Sequence, residues 1–345
     1  MPASLTDRAQ ERLAWARQAL ADPALTLAPA SADASFRSYW RAEHAHHSFV
    51  IMDAPPPAED IRPWLAIGAR LAAAGIHVPA VFTSDVERGF ALIEDFGNRL
   101  YLPALNDASV DGLYAQALDA LLAMQKNVSS TGLDAYDAAF LRREVELLIP
   151  WFLERHLGHV VGDDEQAMLD AAFTTLVDNA TNQPQCFVHR DFHSRNLMLT
   201  DGANPGVIDF QGALRGPITY DLASLLRDCY IVWDDARVDA WAQGHRQKLL
   251  DAGLIGSDID PTTFRRWFDL TGLQRHIKVL GLFCRLAYRD GKLTYLADLP
   301  RVLDYVVRIA GRHAELAPLA NLLRDVTAGI DLTCPRHQEP ASCAR

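Results

Sequence analysis

The sequence has no excess of positive charge and no long apolar run. Its 33 Lys and Arg are outnumbered by 44 Asp and Glu, so the formal net charge at pH 7 is −11. This balance argues against a general nucleic-acid partner, because phosphate backbones attract basic surfaces. No apolar stretch approaches the roughly 18 residues of a membrane span, and the start "MPASLTDRAQERLAW" lacks a signal-peptide core. We expect a cytoplasmic protein with no membrane partner, and nothing indicates an obligate protein partner.

Paired cysteines are also missing, and lysine is scarce. The five Cys are scattered and form no C-x-x-C motif, so neither a zinc site nor a disulfide framework is predicted. Only four of the 345 residues are Lys, and none lies in the first 125. Any role in the N-terminal third that needs a fixed cation must therefore use arginine.

The apolar pattern changes near residue 96, which indicates two parts, as does a length too great for a single small core. Before this point, aromatic and β-branched residues predict strands in "FRSYWRAE" and "HSFVIMDA" and a hairpin in "AVFTSDVERGFALIEDFG". The stretch "ADPALTLAPASADASF" is typical of a loop. Helical spacing predicts helices over 6–20 and 59–74.

Beyond residue 96, helical segments dominate, and "QCFVHRD", "NLMLT" and "NPGVIDFQ" are short strand-like runs. The sequence predicts an α+β fold with a small antiparallel-sheet N-terminal lobe (1–95), a larger helical lobe (96–330) and a mobile tail (331–345). The helices of the larger lobe are predicted over 109–126, 138–157, 164–180 and most of 220–329.

A polar stretch, "FVHRDFHSRNLML", separates two of these short strands. It contains H-R-D-x-x-x-x-N, and Asp209 follows Asn196 by thirteen residues in "VIDFQ". Transfer of a phosphoryl group from ATP needs a carboxylate that orients and deprotonates the attacking hydroxyl, which suits Asp191. It also needs oxygen ligands for Mg²⁺, which suits Asn196 and Asp209. His189 is expected to fasten the loop by hydrogen bonds.

A purely structural explanation also exists, since loops often carry Asp and Asn that cap turns. The apolar flanks and the position of "IDF" on the next strand favour the chemical interpretation.

The segments "VHRDFHSRNLML" and "GVIDFQGALRGPITYDLASLL", with the preceding hairpin, resemble the aminoglycoside phosphotransferase and choline kinase group, which has a two-lobed protein-kinase-like fold. The resemblance covers about 30–310 and is most specific over 187–226. Within the group, "DASFRSYWR", "GFALIEDFG" and "QRHIKVLGLFCRLAYRDGKLTYLADLPRVLDY" are similar to bacterial anomeric kinases of N-acetylmuramate and N-acetylglucosamine.

The resemblance implies an ATP-dependent, Mg²⁺-requiring small-molecule kinase that phosphorylates the C1 hydroxyl of an amino sugar in cell-wall recycling. Asp191 would be the base, Asn196 and Asp209 the metal ligands, and Asp221 a brace for the catalytic loop. A nearly as good explanation is that Asp221 is a helix N-terminal residue favoured by the helix dipole. The implied nucleotide contacts are a phosphate-covering turn at Ser35, Phe36, Arg37 and Ser38, and an adenine contact at Ile93, Glu94, Asp95 and Phe96.

Three departures from the kinase pattern stand out. The lysine expected on the third strand is missing, and "FVIMDAP" carries Met52 there. Either Arg37 or Arg41 supplies the charge to the phosphates, since a guanidinium can chelate phosphate oxygens, or the small lobe functions without this charge. The phosphate turn is not glycine-rich, so backbone donors of small residues would have to serve. Gln211 replaces the glycine of protein kinases, which argues against a regulated loop flip.

The sequence says less about the acceptor, the molecule that would receive the phosphoryl group. Residues 261–313 contain ten Lys and Arg but four Asp and Glu, in a chain that is acidic overall. This local excess favours an anionic ligand such as N-acetylmuramate over a polycationic aminoglycoside, although many of these residues will be solvated or paired within their helix. Arg275, His276 and Lys278 are the candidate substrate residues because they interrupt an apolar stretch.

Two alternatives remain open at this stage. The protein could phosphorylate another small alcohol, such as an aminoglycoside, choline or a different sugar. It could also bind nucleotide without turnover, given the missing lysine. The sequence does not rank N-acetylmuramate over N-acetylglucosamine and does not give the oligomeric state.

Overall fold

The computed structural model describes residues 5–32 and 36–336, and its contacts divide the chain into two compact units. The sequence pattern groups residues 96–128 and 195–212 with the helical lobe, whereas the contacts place both segments in unit 1. Unit 1 comprises Met1–Val128 and Arg195–Gly212, and unit 2 comprises Ser129–Ser194 and Ala213–Arg345.

Unit 1 is built on a five-stranded antiparallel sheet in the order β1-β2-β3-β5-β4. The central strands are rich in the β-branched and aromatic residues that suit a pleated, buried surface. A two-stranded ladder of β7 and β8 lies in the same unit. The strands are β1 Ala28–Ala32, β2 Ser38–His44, β3 His47–Asp53, β4 Val81–Asp85, β5 Phe90–Glu94, β7 Leu197–Met198 and β8 Gly206–Val207.

The first helix of unit 1 covers one face of this sheet. Trp15 stacks on Phe90 with 5.4 Å between ring centroids. At the end of β3, the buried carboxylate of Asp53 accepts hydrogen bonds from Arg8 and, at 2.9 Å, from Arg12. Because both partners of the pair are withdrawn from water, this contact fixes where the helix sits. The helices of unit 1 are α1 Leu5–Ala19, α2 Arg62–Ala73, α3 Tyr101–Ala104 and α4 Val110–Asn127.

Unit 2 is mainly helical and packs around the 30-residue helix Pro261–Asp290. This helix begins where the Asp260 carboxylate accepts the Thr263 N–H at 2.7 Å, and it ends at Gly291, whose left-handed φ of 70° favours glycine. A short ladder pairs β6 Gln185–Val188 with β9 Leu214–Pro217. The α-helices of unit 2 are α5 Ala138–Val145, α6 Asp163–Thr181, α7 Tyr220–Leu226, α8 Asp235–Asp251, α9 Pro261–Asp290, α10 Leu299–Ala310 and α11 Ala317–Thr327, and the 3₁₀ turns are Leu293–Asp298 and Ala314–Leu316.

The α+β prediction is confirmed, with some local differences. The single helix predicted over 138–157 is α5 followed by a π-helical segment, Leu148–Leu157. Pro150 lies within that segment, and a proline cannot donate the hydrogen bond of a regular helix interior. Strand β1 lies in a stretch predicted to be a loop, because pairing with β2 overrides the weak strand preference of "APASA".

The last described residues, which belong to unit 2, pack against its helices. Leu332 is buried in its core, and the Arg336 N–H donates to the Tyr288 hydroxyl at 3.0 Å. Residues 337–345 of the predicted mobile tail lie outside the described residues. Among the described helices, none combines the length and apolarity that crossing a bilayer requires.

Gly281 allows α9 to lie against the segment that follows α5. A Cβ built at Gly281 would lie 2.3 Å from the carbonyl carbon of Leu147, a backbone atom that cannot simply rotate away. We expect Gly281→Ala to destabilise the protein by about 1–3 kcal/mol, the usual cost of overpacking. Gly244→Ala is the matched control: that exposed helical glycine meets nothing within 4 Å, so alanine should stabilise by about 0.5–1 kcal/mol. Urea unfolding midpoints check both, and equal midpoints for the two variants would contradict the expectation.

Candidate active site

The loop that follows β6 is held by a buried carboxylate on α7. Asp221 accepts the backbone N–H of His189 at 2.7 Å and that of Arg190 at 2.9 Å. Burial raises the pKa of Asp221 to about 7, although these two hydrogen bonds and the charge of Arg275 oppose the rise. The Asp221 side chain therefore holds two consecutive backbone N–H groups of the loop.

Further contacts fix the shape of the same loop. The ring of the buried His189 accepts the Asp191 N–H at 3.3 Å. Arg190 has a left-handed φ of 81°, which non-glycine residues rarely adopt and which indicates a conformation imposed by its surroundings. At the loop's end, Asp228 accepts the Ser194 N–H at 2.9 Å. Asp228 was not anticipated from the sequence, since an Asp in the "LLRDCY" run has no local signature.

Asp191 lines a cavity of about 570 Å³ in unit 2. Burial opposes ionisation of this carboxyl, yet the nearby charges of Lys278, Arg275 and Arg190 hold its pKa below the ordinary value. Asp191 is therefore a carboxylate, ready to accept a proton. The cavity walls carry five cationic side chains, two carboxylates and several apolar groups: Arg143, Arg190, Arg275, Lys278, Arg285, Glu144, Asp191, His193, Phe140, Leu147, Cys229, Tyr230, Val279, Leu282 and Phe283.

Glu144 organises the cations on one side of this cavity. It is buried and accepts from Arg190 at 2.7 Å, from Lys278 at 2.8 Å and from the Tyr136 hydroxyl. Burial opposes its ionisation, but Lys278 and Arg190 hold the pKa of Glu144 below the usual value. This role could not be predicted from local sequence, because a Glu in "LRREVELL" is typical of a solvated helix face.

The three candidate substrate residues on α9 have different surroundings. Lys278 lines the cavity and is paired with Glu144. Arg275 also lines it, donates to the Arg190 carbonyl at 2.9 Å and lies over the Tyr220 ring. His276 is not among the cavity residues: its Nε2 donates to the Arg227 carbonyl at 2.8 Å and burial lowers its pKa to about 3. His276 is thus a neutral, buried side chain.

Unit 1 contains a second cavity, of about 550 Å³, to which strand β5, the residues just before β7 and the segment after β8 contribute. Asn196 and Asp209 both line it, and the Asn196 amide lies 3.4 Å from Asp209 Oδ2. Asp209 has a left-handed φ of 63° and accepts from the Gln211 amide at 2.7 Å. Its side chain is 36% exposed, so its oxygens remain accessible.

These two side chains fit a magnesium site that needs few protein ligands. One carboxylate and one amide are hard oxygen donors, and turning the Asn196 amide would present its oxygen to the metal. Within residues 5–32 and 36–336, no group of three or more His, Cys, Asp or Glu could hold a metal. Mg²⁺ would therefore take its remaining ligands from phosphate and water.

The four residues predicted to meet adenine line the same cavity: Ile93, Glu94, Asp95 and Phe96. Burial opposes ionisation of Asp95, but hydrogen bonds from Arg41 and Ser48 hold its pKa low. Arg41 is therefore engaged with Asp95 at the cavity wall, and its guanidinium also donates to the Asn98 side chain at 3.0 Å.

The predicted phosphate turn lies partly outside the described residues, since Ser35 is not among them. The Phe36 N–H donates to Glu59 at 3.2 Å, and the Ser38 hydroxyl accepts from the Trp40 indole at 2.9 Å. Arg37 differs from its neighbours: its guanidinium lies 3.6 Å from Asp209 Oδ1. Of the two candidate arginines, Arg37 is therefore the one beside the predicted metal ligand.

The chain resembles known proteins over most of its length. The model of the phosphotransferase enzyme family matches residues 26–255. A Pseudomonas putida protein named N-acetylmuramate/N-acetylglucosamine kinase is 46% identical, covering 89% of this chain and 90% of that protein. A Neisseria meningitidis protein of the same name is 38% identical, with 92% and 96% covered.

Solved structures of low sequence identity share the fold. The ADP-bound aminoglycoside phosphotransferase APH(2'')-Ib has a TM-score of 0.57 at 15% identity, covering 87% of this chain and 98% of that one. Choline kinase LicA from Streptococcus pneumoniae has a TM-score of 0.59 at 12% identity, covering 87% and 99%. These likenesses agree with the predicted kinase-like fold. Together with the family match, they show that the chain belongs to the phosphotransferase enzyme family and is a small-molecule kinase.

Proposed function

We propose that this protein is an ATP-dependent kinase that phosphorylates the anomeric hydroxyl of N-acetylmuramate and N-acetylglucosamine. The observation that carries the proposal is the unit 2 cavity, where an ionised Asp191 lies among more cations than acids. Such a cavity suits an acceptor that is a neutral or acidic sugar. The names of the relatives that cover nine tenths of the chain support the same substrate class.

The unit 1 cavity is the proposed nucleotide site. Its volume of about 550 Å³ lies within the range of ligand pockets. The backbone of Ile93 to Phe96 would meet adenine, and Asn196 and Asp209 would hold Mg²⁺ on the phosphates. When bound, the metal neutralises charge that develops on the phosphoryl oxygens.

Arg37 is the proposed replacement for the missing lysine. Arg41 is less suitable, because its guanidinium is already bonded to Asp95 and Asn98. We expect Arg37→Met to raise the KM for ATP by roughly tenfold, the loss of one charge-assisted hydrogen bond. Arg62→Met, which removes an exposed arginine outside the cavity, should leave it unchanged. Steady-state kinetics at saturating sugar measure both, and equal KM values would remove Arg37 from this role.

The proposed reaction needs one proton acceptor. The C1 oxygen attacks the γ-phosphorus in line, and the bond from that phosphorus to the β–γ bridging oxygen breaks with its electron pair left on ADP. Asp191 accepts the C1 hydroxyl proton as the new bond forms. An anomeric hydroxyl is more acidic than a simple alcohol, so a carboxylate with a low pKa is a sufficient base.

The product would be a sugar 1-phosphate, the form from which nucleotide sugars are made, and this would place the enzyme in cell-wall recycling. The test is a phosphoryl-transfer assay with labelled ATP and a panel of acceptors that includes both amino sugars, choline and an aminoglycoside. We expect turnover with the amino sugars and release of the label in mild acid, since anomeric phosphates are acid-labile.

Three other outcomes would overturn parts of this proposal. An acid-stable product would exclude the C1 hydroxyl as acceptor. Turnover of choline or an aminoglycoside alone would establish the runner-up kinase assignment, which the cationic cavity disfavours. Nucleotide binding without consumption of any acceptor would establish a binding module.

A further inference from the structure

Two of the five cations in the unit 2 cavity differ from the others in having no hydrogen-bond or ion-pair partner among the described residues. Arg190 and Lys278 are paired with Glu144, and Arg275 donates to a backbone carbonyl. Across the described residues, neither Arg143 nor Arg285 donates a hydrogen bond or pairs with a carboxylate. The cavity therefore retains positive charge that its own acids do not neutralise.

The positions of these two arginines follow from helical periodicity. On α5, Arg143 is one turn from Phe140, over whose ring its guanidinium lies at 5.3 Å, and Leu147 follows one turn later. On α9, Arg285 follows Lys278 by seven residues, which places both on one helix face. Both arginines thus extend faces of their helices that already line the cavity.

Arg285 shows the clearest need for an anion. Its Nε is buried and makes no hydrogen bond among the described residues. A buried donor without an acceptor is costly, and a ligand oxygen would remove this cost. Burial and the neighbouring Arg289 lower the pKa of Arg285, although Asp290 and Glu144 oppose the effect, so the site favours an added negative charge.

We propose that Arg143 and Arg285 form a carboxylate subsite for the acceptor and determine whether an acidic substituent is recognised. The inference rests on the proposed function. For the two amino sugars, the relevant group is the lactyl carboxylate, which N-acetylmuramate carries and N-acetylglucosamine lacks. A guanidinium binds a carboxylate through parallel hydrogen bonds, which gives orientation as well as attraction.

The experiment compares kcat/KM for both sugars in the parent enzyme and in Arg143→Met, Arg285→Met and the double variant. We expect a fall of roughly 10–100-fold for N-acetylmuramate in the double variant, the value of a charged hydrogen-bonded contact. For N-acetylglucosamine the change should stay within about threefold, because it has no carboxylate to lose. Arg266→Met is the matched control, since it removes an exposed arginine that lies on α9 outside the cavity and pairs with Glu315.

A neutral analogue separates recognition from structural damage. The lactyl amide of N-acetylmuramate should be a poorer substrate than the acid for the parent enzyme but not for the double variant. Arg285→Lys should retain part of the preference for the acid over the amide that Arg285→Met loses, because lysine keeps the positive charge.

Each failure has a distinct meaning. Equal losses for both sugars, or no loss for either, would overturn the subsite while leaving the amino-sugar kinase in place. Turnover of N-acetylglucosamine alone by the parent enzyme would do the same. Failure of the parent to phosphorylate either sugar would overturn the proposed function and the subsite together.

Discussion

Asp191→Asn is expected to lower kcat by roughly 10²–10⁴-fold, the usual contribution of a general base. The amide keeps the size of the carboxylate but cannot accept the proton of the acceptor hydroxyl. Nucleotide affinity should change little, because the proposed nucleotide cavity is lined by unit 1 residues and Asp191 is not among them. The prediction therefore separates chemistry from binding.

Single-turnover kinetics and a nucleotide binding titration measure the two effects. Asp164→Asn, which removes an exposed carboxylate at the start of α6, is the matched control and should retain full activity. A turnover within tenfold of the parent value in Asp191→Asn would exclude this residue as the base.

The pH dependence gives a second test of Asp191. A pKa below the ordinary value means that the carboxylate form persists as the pH falls, so protonation of Asp191 should not lower kcat/KM until the pH falls below about 5. Among the nearby charges, Lys278 has the largest lowering effect on the pKa of Asp191. Lys278→Met should therefore raise it and move the acid limb of the pH profile to higher pH. A limb that does not move would mean that Asp191 does not set it.

Asp209→Asn is expected to cost roughly 10²–10³-fold in kcat/KM and to raise the Mg²⁺ concentration needed for half-maximal rate about tenfold or more. A metal on the phosphates contributes several kcal/mol to catalysis, and an amide lacks the charge that holds it. The Gln211 amide would also lose its charged acceptor, which it now contacts at 2.7 Å.

Rates measured over a range of Mg²⁺ concentrations check this prediction. Asp201→Asn is the matched control, because it removes an exposed carboxylate of the same chain segment whose partner is Arg99. An unchanged Mg²⁺ requirement in Asp209→Asn would remove the residue from the metal site.

Local sequence was sufficient for several features of this protein. The chain itself sets the separation between Asp191 and Asn196, which are five residues apart. The apolar runs on either side form short strands because apolar side chains are unfavourable in a solvent-exposed loop. The hairpin of β4 and β5 and the long helices follow from patterns that repeat every two residues or about every 3.6 residues. These patterns involve residues close together in the sequence, so they can be recognised without knowledge of the fold.

Only the tertiary structure decided which charged side chains form ion pairs within the protein and which have no acidic partner to neutralise them. Arg37 and Arg41 look alike in sequence, yet packing bonds Arg41 to Asp95 and places Arg37 beside Asp209. In the same way, Glu144 forms ion pairs with two cations of its cavity. Arg143 and Arg285 line the same cavity but have no acidic partner among the described residues. The physical reason is that an ion pair depends on residues distant in sequence meeting within about 4 Å. Helical periodicity indicates which face a residue occupies but not what that face meets.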